Sequence, residues 1–322
     1  MKPAPFYLES SLKMVEEISG AKVIYGAPKS EEEWIESLKG VEVAFAGGFP
    51  FTRRVFESSK GLKMIQTVSV GFDQIDIFAA LDKSVIVCNV PEVMAETVAQ
   101  HAWAIILALS KEIVQGDRLL RGGGWPRLMG INLWGKTLGI VGLGRIGRRV
   151  ALKGKHAFDM RILAYDPYVD AETAQMFSAE LVDLPTLMAE SDVVSIHCPL
   201  TKDTQGLIGE KELSRMKDTA LLVNTARGKV IDEKALIQLL QVNKIRGAGL
   251  DVFEEEPAKP NNPLLRFENV VLTPHIASST TATFNETGRS ACENVARYLK
   301  GRSPKWQINL NTAPWIRSVA RA

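Results

Sequence analysis

The first third of the chain alternates short β-branched apolar runs with stretches whose apolar residues recur at helical spacing. Residues 22–25, 41–46, 63–70 and 84–90 each read as a buried strand, with helices between them. Ser30, ahead of EEEWIESL, is placed to cap a helix, and Glu31, Glu32 and Glu33 put acidic charge where a helix N-terminus favours it. A βα repeat of this kind predicts a parallel sheet. Over residues 96–112, Val98, Ala102, Ile105, Ile106 and Leu109 keep helical spacing and predict the longest helix of the chain, while Gln100 and His101 interrupt a membrane-spanning reading. The following RLLRGGGWPRLMGINLWG has no clear period and reads as an extended interdomain or intersubunit arm. A second βα series opens at Lys136 with KTLGIVG and continues through RILAYD, DVVSIHC, ALLVNTA, RGAGLDV and NVVLTP, six strands in all, enough for a doubly wound sheet. A last helix is expected from Ser279 to Leu299, before a tail that the pattern does not assign.

Length and charge narrow the function classes. A chain of 322 residues with 46% hydrophobic content can bury two cores, so two α/β domains are expected. Its 39 basic and 37 acidic residues nearly balance at +2, which argues against nucleic acid or an anionic membrane as partner and points to a small molecule or a second copy of the chain. The first 26 residues carry charge every few positions and hold no apolar core of a signal peptide, so a cytoplasmic location is expected. Cys88, Cys198 and Cys292 are odd in number and far apart, which predicts reduced thiols and neither a disulfide framework nor a metal site.

VGLGRIG sets Gly142, Gly144 and Gly147 in GxGxxG register, after a strand and at the mouth of a helix beginning near Arg145. That context suits a dinucleotide: Gly142 for a tight turn, Gly144 for backbone approach to a pyrophosphate, Gly147 for close helix–strand packing, with the helix dipole behind them. Asp166, ending RILAYD, stands where a carboxylate accepts the ribose hydroxyls and repels a 2′-phosphate, so NAD is favoured over NADP, with Arg145, Arg148 and Arg149 leaving the preference open.

Later strands end in the polar clusters NTARG, LDVFEEEP and LTPHIAS, and strand ends are where open α/β sheets bind ligands. Arg227, Asp251, Glu256 and His275 are therefore expected to converge. Their types suit hydride transfer to a 2-oxo acid: His275 as proton donor, Glu256 to orient it and stabilise its charged form, and Arg227 as a planar fork for the substrate carboxylate.

VGLGRIG, AYD, HCPLTKDT, LLVNTARG, GLDVFEEEP and LTPHIAS together resemble the D-isomer-specific 2-hydroxyacid dehydrogenase family, with weaker likeness in VSVGFDQID and NVPEV. The resemblance implies catalytic Arg227, Glu256 and His275. It implies NAD contacts from Gly142, Gly144, Arg145, Ile146, Gly147, Asp166, Cys198, Pro199, Thr204, Thr225, Ala226, Arg227, Asp251, His275 and Ser278, with Cys198 and Pro199 at the adenine, Thr225 and Ala226 at the nicotinamide ribose, and Asp251 at the carboxamide. Substrate contacts would come from Ser69, Val70, Gly71, Arg227 and His275. It further implies two Rossmann-like or flavodoxin-like parallel-sheet domains, a discontinuous substrate domain (1–91 and 279–322) and an NAD domain (92–278), the helix from Glu96 acting as hinge, and a homodimer formed through the arm. Gln74 and the Gln100–His101 pair depart from the family's usual pattern. Glyoxylate and hydroxypyruvate lead among acids; a bulky acid would need space around Phe49, Phe72 or Trp125, side chains that read rather as core or dimer packing. Glu256, where formate enzymes carry Gln, points away from formate, while phosphite oxidation and a non-catalytic NAD-sensing role stay open.

Overall fold

In a computed structural model of the chain, residues 13, 15–17, 20–24, 28, 30–46 and 50–309 are described. The chain forms two compact units, one built from residues up to Met94 together with those from Ser279 onward, the other from Ala95 to Ser278. The first junction lies at Met94 where Pro91 is expected; the second coincides with Ser279.

In the first unit, β1 (Val43–Ala46), β2 (Met64–Thr67) and β3 (Ile86–Cys88) form a parallel sheet in that order. Ser30 caps the helix Glu31–Ser37 as expected, its hydroxyl accepting from the Glu33 amide at 3.2 Å. Residues 22–24 do not form the expected strand, and Tyr25 lies outside the described residues. The Val23 amide goes instead to the Glu16 carboxylate at 3.0 Å, which leaves it no ladder partner. A buried polar junction ties this unit together: Asn294, on the helix Thr281–Leu299, donates to the Gln66 side chain on β2 at 2.7 Å and to the Lys305 carbonyl at 2.9 Å.

The second unit carries a seven-stranded, wholly parallel sheet of β4 (Thr137–Val141), β5 (Arg161–Tyr165), β6 (Ala179–Leu181), β7 (Val193–Ile196), β8 (Leu221–Asn224), β9 (Gly247–Leu250) and β10 (Val270–Leu272), in the order β10-β9-β8-β7-β4-β5-β6. The chain starts centrally at β4, winds out through β5 and β6, then returns and winds the other way, so β4 and β7 flank the topological switch point. β6 is one strand more than expected; it is three residues long and carries Glu180 at its centre, too short and polar to register as an apolar run. An apolar core covers each face: Leu187, Met188, Leu213 and Leu236 on one side, Ala102, Ile105, Ile106, Val150 and Ala151 on the other.

The helix Val93–Ser110 has 18 residues, one fewer than Thr281–Leu299, so it is not the longest. By length and composition it is apolar enough to cross a membrane, yet Ala99, Ala102, Trp103, Ile106 and Leu109 pack in the core. Its approach to the sheet is unusually close at Gly249 of β9, where an added Cβ would fall 2.1 Å from the Ile105 side chain. A helix missed by its period, Ile113–Arg121, follows; it precedes an irregular stretch in which Trp125 is 90% exposed, so Trp125 is not a core residue. Phe72 is partly buried in the core of the first unit, and Phe49 lies outside the described residues.

Candidate active site

The glycine loop takes the geometry its spacing implies. Gly142 follows β4 at φ +95, where an L side chain is strained, and an added Cβ would meet the Cys198 backbone nitrogen at 2.6 Å. Gly147 lies against the same loop, its added Cβ 2.1 Å from the Gly142 carbonyl oxygen. Gly144 caps the helix Arg145–Phe158 without a side chain and faces open space. A pyrophosphate can therefore come against bare backbone at the start of a 14-residue helix. Arg145 is exposed and Ile146 packs partly into the core.

Asp166, just past β5, uses its carboxylate within the protein as well: it accepts from the Leu143 amide at 2.8 Å and from the Tyr168 amide at 2.9 Å, bracing the glycine loop. Two of the three nearby arginines are committed elsewhere. The Arg148 Nε donates to the Leu143 carbonyl at 2.8 Å with its guanidinium over the Phe177 ring, and Arg149 donates to the Arg145 carbonyl while lying 3.7 Å from Glu96. Past β7, Cys198 is buried and desolvation pushes its thiol up to about 12, so it stays protonated and is no nucleophile. The Thr204 hydroxyl donates to the Pro199 carbonyl at 2.6 Å and accepts from the Thr201 amide, so it closes the turn that follows Cys198.

At the end of β8, the Asn224 side chain folds the NTARG turn, accepting from the Ala226 amide and donating to the Arg227 carbonyl, both at 2.9 Å. The Thr225 hydroxyl is buried without a hydrogen-bond partner. Gly228 admits no side chain: an added Cβ would lie 1.9 Å from the Phe253 carbonyl. Arg227 holds extended backbone and its Nη1 donates to the Ala226 carbonyl at 2.6 Å.

Asp251, after β9, is fully buried. Its carboxylate accepts from the Thr273 hydroxyl at 2.5 Å and from the Ile276 and Ala277 amides at 2.9 Å each, and its carbonyl accepts from the His275 amide at 2.8 Å. Burial raises its pKa, but the bonds from His101, Thr273 and those amides outweigh it and hold the group below its ordinary value, ionised. This hub fixes the turn that carries His275, itself at φ +53, and Ser278 follows directly.

The His275 Nδ1 lies 2.7 Å from the Glu256 Oε2, and the other Glu256 oxygen accepts from the Phe253 amide at 3.0 Å. An ionised carboxylate only accepts, so Nδ1 carries a proton and Nε2 is the nitrogen left for chemistry. Glu256 raises the His275 pKa first by its hydrogen bond; burial and the Arg227 charge work against it without reversing it. Glu256 is held low: burial raises it, but the bonds from His275 and Phe253 and the charges of His275 and Arg227 prevail. Arg227, Glu256 and His275, 48 residues apart at the extremes (275 less 227), thus share one electrostatic neighbourhood.

In the first unit, the loop after β2 is stapled by its carbonyls. The Thr67 hydroxyl donates to the Ser69 carbonyl at 2.9 Å, Asn89 donates to the Val70 carbonyl at 2.8 Å, and Ser69 donates to the Gly71 carbonyl at 2.7 Å. Asn89, Asn224, Thr273 and Gly228 escaped the sequence reading. Each lies inside a quoted motif, NVPEV, NTARG or LTPHIAS, without having been given a role, and a polar residue or glycine at a strand end is the signal that could have found it. Gln100, by contrast, donates to Glu96 at 3.1 Å and takes no part in the site.

The site's residues fit a nicotinamide dinucleotide: the glycine loop leaves bare backbone at a helix start, and the orphaned Thr225 hydroxyl is a donor in search of a partner. The sequence model of the D-isomer specific 2-hydroxyacid dehydrogenase NAD binding domain matches residues 103–277. The chain is 42% identical over 290 residues to glyoxylate reductase of Korarchaeum cryptofilum, covering 88% of this chain and 87% of that one. It is 41% identical to D-3-phosphoglycerate dehydrogenase of Archaeoglobus fulgidus over 91% of this chain, but spans only 56% of that longer protein. A D-lactate dehydrogenase from Aquifex aeolicus, solved with NAD and lactic acid, superposes with a TM-score of 0.80 at 31% identity, over 91% of this chain and 93% of that one. The chain therefore belongs to the D-isomer specific 2-hydroxyacid dehydrogenase family and is an NAD-dependent oxidoreductase.

Proposed function

We propose that the protein reduces a small 2-oxo acid of the glyoxylate or hydroxypyruvate type to the 2-hydroxy acid at the expense of NADH. The His275–Glu256 pair at 2.7 Å, within the field of Arg227, carries this reading. The glyoxylate reductase names of close relatives, over most of both chains, support the small acid. His275 holds a proton on Nε2 and delivers it to the carbonyl oxygen as the alkoxide forms, while Glu256 keeps the ring oriented and stabilises its charged form. Arg227 offers two donors to the substrate carboxylate and polarises the carbonyl. In the first unit, the stapled loop presents the Val70 and Gly71 amides as donors suited to a carboxylate; in the second, Asp251, Thr225 and the glycine loop hold the cofactor. Bound NADH supplies the hydride. Asp166, with Arg148 and Arg149 tied elsewhere, favours NAD over NADP.

Homodimer formation through the exposed Trp125, Met129 and Trp134 and a cytoplasmic setting for the three free, buried thiols complete the proposal. The decisive experiment is NADH oxidation across glyoxylate, hydroxypyruvate, pyruvate, phosphohydroxypyruvate and branched 2-oxo acids, with phosphite-dependent NAD reduction beside it. The highest kcat/KM is expected with glyoxylate or hydroxypyruvate. Turnover of phosphite alone, or of nothing despite NADH binding, would overturn the assignment.

A further inference from the structure

His101 stands on the inner side of the helix Val93–Ser110, within the same unit as the reacting cluster, and has no place in the chemistry described above. Its Nε2 lies 3.0 Å from the Thr273 hydroxyl and 3.5 Å from the buried Asp251 carboxylate. Hydrogen-bond bookkeeping fixes the direction of this chain. The Thr273 hydroxyl has a single proton, and its 2.5 Å contact is with a carboxylate held ionised, which can only accept. That proton is spent on Asp251, so Thr273 must accept from His101, and Nε2 of His101 must carry a hydrogen. The relay runs His101 to Thr273 to Asp251, and Asp251 in turn holds the Ile276 and Ala277 amides and, by its carbonyl, the His275 amide.

His275 occupies left-handed backbone that a non-glycine residue adopts only when its surroundings impose it. Of the groups that impose it here, His101 alone comes from outside the strand-end loops, on a helix seated in the core. We propose that His101 is a positioning residue for His275: it anchors the Thr273–Asp251 pair to the rigid helix and so fixes the turn from which His275 delivers its proton. This rests on the reading of His275 as the acid.

The test uses the full chain with His101→Ala, His101→Leu and His101→Gln. Glutamine can place an amide donor toward Thr273, whereas leucine keeps bulk without a donor. The Ala and Leu variants are expected to lose about tenfold in kcat, the order expected of a misplaced reacting group. KM for the 2-oxo acid should hold, since Arg227 and the 69–71 loop are untouched, and Gln should recover to within about threefold. A wild-type kcat in all three, or equal damage from Gln and Leu at unchanged Tm, would overturn the proposal. Nitrogen-15 histidine NMR gives a readout independent of turnover: His101 should be protonated at Nε2, and His275 ring signals should move in His101→Ala. A His101 ring protonated at Nδ1 only, or unmoved His275 signals, would also overturn it. If wild-type protein reduces no 2-oxo acid while both NMR results appear, the reaction assignment fails and the positioning network stands.

Discussion

At the scale of single residues, the strained backbone of His275 and its 2.7 Å contact with Glu256 determine how activity should follow pH. Because Glu256 raises the His275 pKa, the imidazolium persists to a pH above its usual range, and 2-oxo acid reduction should decline only as pH rises through that raised value. Glu256→Gln keeps an acceptor for the ring but removes the negative charge that favours the imidazolium, leaving burial and Arg227 opposed mainly by Asp251, so the alkaline limb of kcat/KM should move to lower pH, with a loss of roughly ten- to a hundredfold at neutral pH. An unmoved limb would show that another group limits the rate. The same signs govern stability. The His275 contribution is complete below the unfolded pKa and lost as pH rises through the folded one; the Glu256 contribution is complete above its unfolded pKa and lost as pH falls through the folded one. His275→Ala should leave NADH affinity, measured by fluorescence titration, nearly intact while cutting turnover by about a hundredfold or more. These residue types and their strand-end positions were legible in the sequence. The hub at Asp251 was not: its carboxylate takes donors from residues 273, 276 and 277, and no local pattern brings position 101, which reaches it through Thr273, to the others.

Among the elements, the strands of the second unit were readable because parallel strands buried on both faces leave continuous apolar runs. β6, with its central Glu180, leaves none. The helix Ile113–Arg121 escaped for the opposite reason: Ile113, Val114 and Leu120 are exposed rather than turned to a core, so their spacing traces no buried stripe. Loops between elements carry two tests. Gly228→Ala would force a methyl group into the Phe253 carbonyl, and a loss of about 1–3 kcal/mol is expected from overpacking alone, visible as a lower urea midpoint. Asn89→Ala would release the Val70 carbonyl, and KM for the 2-oxo acid should rise about threefold or more with kcat nearly constant. A fall in kcat at constant KM would remove the loop from substrate binding.

For the molecule as a whole, the boundary near Ser279 was an expectation from the family resemblance, since no local pattern tells which unit the C-terminal segment joins; the two compact units divide at that residue. Trp125, Met129 and Trp134 expose 90%, 75% and 65% of their surface on an irregular stretch, more apolar area than an isolated loop usually leaves in water. Trp125→Asp combined with Met129→Asp should convert a dimer to a monomer in light scattering; a monomeric wild type would end that proposal. Gly249 has the widest reach. The side chain of Ile105 rests on its bare backbone, and Ile105 is the next helical turn after His101, so the separation of helix and sheet sets whether the His101 imidazole can reach Thr273. A methyl group at Gly249 would act as a wedge between sheet and helix, prying the helix outward and loosening the proton donor at one remove. The position is thus a natural seat for a heat-sensitive allele, one whose enzyme still captures cofactor and acid in the cold and loses its chemistry on warming before it loses its fold.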